Sequence, residues 1–262
     1  MNRIEQLVLV TGMLLVPLMP CISQSGDSGV TMLKGAVVRG DRSRPGLALV
    51  FTGDEYAEGA TLIISVLEQQ QVKASFFFTG NFYRDPDFQN IIRTLRKDGH
   101  YLGAHSDQHL LYCDWVKRDS LLVTKEMFTR DLMDNYRAML VFGITMEEAP
   151  FFLPPYEWYN DSIASWTRDL GLQLVNLTYG TLSHADYTVP GTDGYCGSSE
   201  ILRSILEYES SGPSGLNGFI LLMHIGTDPE RTDKLYFRLE QMVEELKLRG
   251  YRFRRIDELL GN

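Results

Sequence analysis

Hydrophobic positions along the chain fall into two alternating patterns. Leu47-Ala-Leu-Val-Phe51 is an unbroken apolar run that stops at Thr-Gly-Asp-Glu, and across 57–71 the residues Leu62, Ile63, Val66 and Leu67 share one side of a helix. That is a strand followed by a helix. Ala74-Ser-Phe-Phe-Phe78 repeats the strand signal, and 87–97 reads as a helix opened by Pro86 and closed by Asp98-Gly99. Tyr101-Leu-Gly-Ala104 is a third buried strand. Further on, the pattern predicts a long helix over 120–141, an apolar entry to Phe151-Phe-Leu-Pro-Pro-Tyr156 and a helix over 161–170. Strands over 172–177 and 218–223 follow, then a last helix over 234–249 before Tyr251-Arg-Phe253.

Strands that alternate with helices predict a parallel sheet, and this many units in one chain predict an α/β barrel or a doubly wound sheet. In both, chemistry belongs to the loops that leave the C-terminal strand ends. Asp54, His105, Pro155 and His224 each fall just past such an apolar run.

Composition narrows the choices. At 262 residues and 44% hydrophobic, the chain can bury the core of one large α/β domain or two small ones. A formal net charge of -9, with no run of Lys and Arg interleaved with aromatics, repels a phosphate backbone, so nucleic acid is not an expected partner. No internal repeat is visible.

Residues 1–23 read as an export signal: Arg3, an apolar run over 7–18, then small and polar residues. The run is too short to span a bilayer comfortably, so no transmembrane span is expected and the mature chain should be periplasmic or extracellular. Leu18-Met-Pro-Cys21 matches a lipoprotein box only in part, which leaves lipid anchoring through Cys21 as a minor alternative. Residues 24–46 form an N-terminal extension ahead of a domain over 47–262. Export permits a Cys113–Cys196 disulfide, and two free thiols are the other option.

The sharpest signal is His105-Ser-Asp-Gln-His109. If the chain turns helical at Ser106, the two imidazoles at i and i+4 lie on one face and can close on one metal ion.

The order of segments resembles the polysaccharide deacetylase family, the carbohydrate esterase family 4 group with the NodB homology domain. Ala74-Ser-Phe-Phe-Phe-Thr-Gly80 and Asp98-Gly-His-Tyr-Leu-Gly-Ala-His-Ser-Asp-Gln-His109 resemble its second strand and its metal-binding His-Ser/Thr-x-x-His motif. Phe152-Leu-Pro-Pro-Tyr-Glu157 resembles its Arg-Pro-Pro-Tyr-Gly stretch, and Leu221-Leu-Met-His224 its Leu-x-His block. The resemblance implies a distorted (β/α) barrel of the NodB type over 47–262.

The first motif departs from the family. Where Phe-Asp-Asp-Gly is usual, with a base aspartate followed by a ligand aspartate, this chain has Phe51-Thr-Gly-Asp-Glu55, and Leu153 stands at the position of the arginine that supports the base. Both members of that pair are missing together. A guanidinium without its carboxylate would be a poorly paired charge, which makes a coupled loss readable.

With His105 and His109, Asp54 would complete a facial ligand set for a divalent metal, with zinc the expected ion; a helix N-cap is the plainer role for Asp54. Glu55 and Glu157 are the carboxylates available as general base, and sequence does not choose between them. The resemblance implies that the Tyr156 N–H lies in the oxyanion hole, that His224 is the general acid, and that Asp186 raises its pKa. Pro155, Trp158 and Tyr159 are the expected substrate-binding residues, the two aromatics by stacking on sugar faces. His100 is expected to pack near a turn.

The implied activity is metal-dependent hydrolysis of an N-acetyl or O-acetyl group on a polysaccharide or oligosaccharide. A catalytically degenerate carbohydrate-binding protein and a hydrolase of a non-sugar C–N bond are the alternatives, since a fold and a metal set do not name a substrate.

Overall fold

The strand β3 (Gly46–Gly53) is buried at every residue, as a strand covered on both faces must be. It lies in the computed structural model of the chain, which describes residues 29–261; the expected export signal and Cys21 lie outside the described residues. A short hairpin, β1 (Thr31–Leu33) and β2 (Ala36–Arg39), precedes it. Then come α1 (Ala60–Gln69), β4 (Ser75–Phe78), α2 (Gly80–Arg84), α3 (Gln89–Lys97) and β5 (Tyr101–Ala104). After α4 (Lys125–Leu140), the chain runs through β6 (Phe151–Phe152), α5 (Asp161–Asp169), β7 (Gln173–Leu174) and α6 (Ser198–Ser210). It ends with β8 (Phe219–His224), α7 (Leu239–Leu248), β9 (Arg252–Phe253) and α8 (Ile256–Leu260).

The strands pair in the order β7-β6-β5-β4-β3-β8, with β9 also on β3, and every pairing in this sheet is parallel. Beyond β7 the chain bends back. The Asn176 N–H donates to the Val37 carbonyl at 2.9 Å and the Thr178 N–H to the Ile220 carbonyl at 3.0 Å, so the residues after β7 touch β2 and β8 and bring the two sheet edges together. The result is an irregular barrel; Phe51, Phe76 and Phe78 are buried on one face of its sheet, Phe51 and Phe76 stacked at 5.1 Å and Phe78 on Phe82 of α2 at 4.0 Å.

The structure revises several expectations. Residues 36–39, within the extension expected from the sequence, form the buried second strand of the hairpin; an isolated bridge ties Val37 to Val175 beyond β7, and the Arg39 guanidinium is tied to the Asn217 and Gly215 carbonyls. The long helix starts at Lys125 rather than 120, because the Thr124 hydroxyl caps it and 113–121 is held by an antiparallel bridge. The helix expected over 234–249 divides into a 3-10 turn, Leu235–Arg238, and α7. Helix α6 was not anticipated; it follows a Gly-rich loop and opens on Gly197 without a side-chain cap. Cys113 and Cys196 are free thiols. His100 packs as expected, its Nδ1 accepting from the Ala74 N–H.

Candidate active site

Each strand end delivers one polar residue to the same mouth of the barrel. Asp54 follows β3, Thr79 follows β4, His105 follows β5, the Pro155–Glu157 turn follows β6, Asn176 follows β7 and His224 ends β8. The register explains the convergence, because Gly53, Phe78, Ala104 and Phe152 are successive partners across the parallel sheet.

The histidine segment is not a helix. Ser106 and His109 have φ of 75° and 53°, so the loop reverses twice in left-handed conformations and brings the rings together at 5.2 Å between centroids. Helix α4 fixes the loop from below. Asn135 Oδ1 accepts from the His105 N–H at 2.8 Å, and Asp131 Oδ1 accepts from the Gln108 N–H at 3.0 Å. The His105 Nδ1–H donates to the Leu153 carbonyl at 2.8 Å, which leaves Nε2 as the lone-pair nitrogen. Burial, then the neighbouring His109, holds the His105 pKa well below the ordinary value. Burial also lowers that of His109 although Asp54 pulls it up, and both imidazoles are therefore neutral.

Asp54 Oδ2 lies 3.9 Å from His109 Nδ1, and Asp54 Oδ1 accepts from the Thr79 hydroxyl at 2.7 Å. A Cβ on Gly53 would meet Ile225 Cγ2 at 2.8 Å and the Phe78 ring at 3.0 Å, so a side chain there would force its neighbours to shift, and the carboxylate at this strand end is that of the next residue. In kind, two neutral imidazoles and a carboxylate fit a divalent metal. Among the described residues, however, no three His, Cys, Asp or Glu side chains converge into a ready-made cage, so the set is one of pairwise approaches.

Across the mouth, His224 and Asp186 make a two-point contact. The His224 N–H donates to Asp186 Oδ2 at 3.0 Å and its Nδ1–H to Asp186 Oδ1 at 2.6 Å. Burial pushes the imidazole pKa down, but the Asp186 charge and hydrogen bond outweigh it and the net shift is upward. Glu157 lies within electrostatic reach of this pair; its carboxyl is pushed up to about 7 by burial, with His224 lowering and Asp186 raising it. Glu55 is exposed, and its charge, with that of Asp54, acts on Tyr156. Tyr156 is exposed, has φ 59°, and lays its ring 4.4 Å from that of His109.

The aromatic residues divide differently from expectation. Tyr159 is fully buried and its hydroxyl donates to the Leu33 carbonyl, so it is barrel wall and cannot stack on a sugar. Pro155 is buried as well and shapes the turn. Trp158 is partly covered: Arg118 lies 4.0 Å over its ring and its indole N–H donates to the Asp114 carbonyl. The open faces belong to Trp115, 53% exposed, and Tyr156, which meet edge-to-face at 5.6 Å, with Tyr187 beside His224. Asn135 and Asp131 escaped the sequence reading. Their signal was two polar residues at i,i+4 on the buried side of an amphipathic helix. The Leu153 carbonyl, a backbone group, had none.

Fold and site together define a class, an α/β barrel with its histidines and carboxylates gathered at the C-terminal strand ends. The chain belongs to the polysaccharide deacetylase family, whose model matches residues 40–175, just over half its length. It is similar to a peptidoglycan-N-acetylglucosamine deacetylase of Bacillus cereus, 26% identical over 199 residues that cover 76% of this chain and 80% of the relative. A chitin deacetylase of Arthroderma benhamiae is 26% identical over 217 residues, 82% of this chain and 52% of that one. Among solved structures, a peptidoglycan N-acetylglucosamine deacetylase superposes with TM-score 0.68 at 19% identity, covering 86% of this chain and 92% of its own. A carbohydrate esterase family 4 pseudoenzyme from Bacillus anthracis gives 0.67 at 18%, covering 87% and 70%. These structures share the distorted barrel fold, which is the fold expected from the sequence.

Proposed function

We propose that the protein is a carbohydrate deacetylase that hydrolyses the N-acetyl group of a polysaccharide or oligosaccharide, with an O-acetyl group as the related substrate. One observation carries the reading: the Asp54, His105 and His109 group and the His224–Asp186 pair face the same barrel mouth. Family membership and the activities named for the Bacillus cereus and Arthroderma benhamiae relatives support it.

Asp54, His105 and His109 would hold a divalent metal, zinc by donor type, and a bound metal supplies polarisation of the acyl oxygen and a more acidic water. The protein's own groups do the rest. The Tyr156 N–H stabilises negative charge on the acyl oxygen, a carboxylate takes the proton of the attacking water, and His224 donates a proton to the leaving nitrogen. Asp186 keeps His224 protonated for that donation. Trp115 and Tyr156 offer ring faces to the sugar, and Trp158 packs behind Trp115. The export reading of residues 1–23 suits a cell-wall or extracellular glycan, and cell fractionation tests it.

Acetate release from chitooligosaccharides, peptidoglycan fragments and acetylated xylan, with zinc supplied, tests the activity. No acetate from any of them sinks the reading. A second reading, a glycan-binding protein without turnover, is favoured by Thr52 and Leu153, which place neither a carboxylate nor a guanidinium where the family carries its base pair. Glycan affinity without acetate release would select it.

A further inference from the structure

We infer that Glu157 is the general base of this site and exchanges protons with His224. The inference rests on the deacetylase reading above. Strands β3 and β8 pair in parallel with Thr52 opposite His224, so the two side chains leave the sheet on the same face at the spacing of neighbouring strands. A carboxylate on β3 would belong there. Instead the position holds a hydroxyl, buried and without a hydrogen-bond partner among the described residues. A threonine hydroxyl cannot act as a base near neutral pH.

Glu157 reaches this region from another strand end. The Pro155–Glu157 turn places Tyr156 and Glu157 at φ of 59° and 53°, a left-handed pair that non-glycine residues adopt only under strain. The turn is held from outside. Asn176 Nδ2 donates to the Glu157 carbonyl at 2.7 Å, and the Trp158 indole N–H donates to the Asp114 carbonyl at 3.1 Å. The charged and titratable groups that face the Glu157 carboxylate are His224 from β8 and Asp186 with Tyr187 from the Ser183–Tyr187 turn, while Arg231 acts on His224. Burial lifts the carboxyl to about 7, so both of its protonation states exist at neutral pH. The His224–Asp186 pair is biased toward the protonated imidazole, and Glu157 and His224, with opposed tendencies, act on each other electrostatically. Glu55, which is exposed, lacks this setting.

The proton balance closes. The water oxygen bonds to the acyl carbon as its proton passes to Glu157, and the C–N bond then breaks with its electron pair going to nitrogen, which takes the His224 proton. Acetic acid and the free amine leave, and Glu157 returns its proton to His224.

The test compares wild type, Glu157→Gln, Glu157→Ala and Glu55→Gln on a chitooligosaccharide with zinc supplied, following acetate release, the pH profile and zinc binding by calorimetry. Expected for Glu157→Gln is a fall in kcat of roughly 10²–10⁴-fold. KM and zinc stoichiometry should be unchanged, and the acid limb of the kcat/KM profile should be lost. Added formate should restore part of the activity of Glu157→Ala, which a purely structural role would not allow. If the glutamine variant fails to fold, the formate result decides: rescue supports the assignment and its absence overturns it. Full turnover in Glu157→Gln, or its loss in Glu55→Gln alone, overturns Glu157 while leaving the deacetylase reading intact. An inactive wild type overturns both.

Discussion

Burial alone would leave the His224 imidazole neutral, yet Asp186 meets it at both the side-chain and the backbone nitrogen and reverses the sign of the shift. Asp186→Asn removes the charge and keeps the shape. The imidazole pKa should then fall below its ordinary value of 6.5, and the basic limb of the pH–rate profile should move to lower pH. Linkage fixes the accompanying change in stability. The folded pKa is raised, so the pair stabilises fully below 6.5 and its contribution is lost as pH climbs through the raised value. Urea unfolding should therefore show a larger penalty for Asp186→Asn at pH 5 than at pH 9. An equal penalty at both would mean that the carboxylate does not set this histidine's charge.

Helix α4 shows how one element positions another. Its capped start at Thr124 sets a phase in which Asp131 and Asn135, one turn apart, face the histidine loop, while Phe128, Leu132 and Met139 face the core. Asn135 is fully buried and bridges two strand ends, accepting from the His105 N–H and donating to the Phe78 carbonyl at 3.2 Å. Asn135→Ala removes both bonds and leaves the His105 N–H and the Phe78 carbonyl only the 3.1 Å bond they make to each other, and should cost about 1 kcal/mol in urea unfolding. Because the bond to Asn135 orients the backbone of His105, turnover should fall too, and restoring stability with an unrelated stabilising change should not recover it. Recovery would show that α4 contributes only stability.

At the scale of the whole molecule, the proposed ligand set is drawn from two different strand-end loops, so metal binding by it would report on the assembled barrel. Zinc at about a hundredfold above its dissociation constant should stabilise the protein by ~2.7 kcal/mol. In a chain of this size that is a Tm rise of roughly 5–10 °C, reversed by a chelator and absent in His105→Ala. The same rise in His105→Ala would remove the histidine pair from the metal site. The sequence alone determined the succession of the main parallel strands, the placing of Asp54, His105 and His224 at strand ends and the nearness of His105 to His109, because strand periodicity and short spacing are local properties. Tertiary structure alone decided what those residues became. The histidine segment, helical by spacing, is a loop because α4 and the Leu153 carbonyl hold it in left-handed turns. Tyr159 became barrel wall under the hairpin, and residues 36–39 are tied to the barrel where β2 meets the chain beyond β7. Glu157 and Glu55 look alike in the sequence and differ in the fold, since only packing sets how much water a carboxylate keeps and which charges stand beside it.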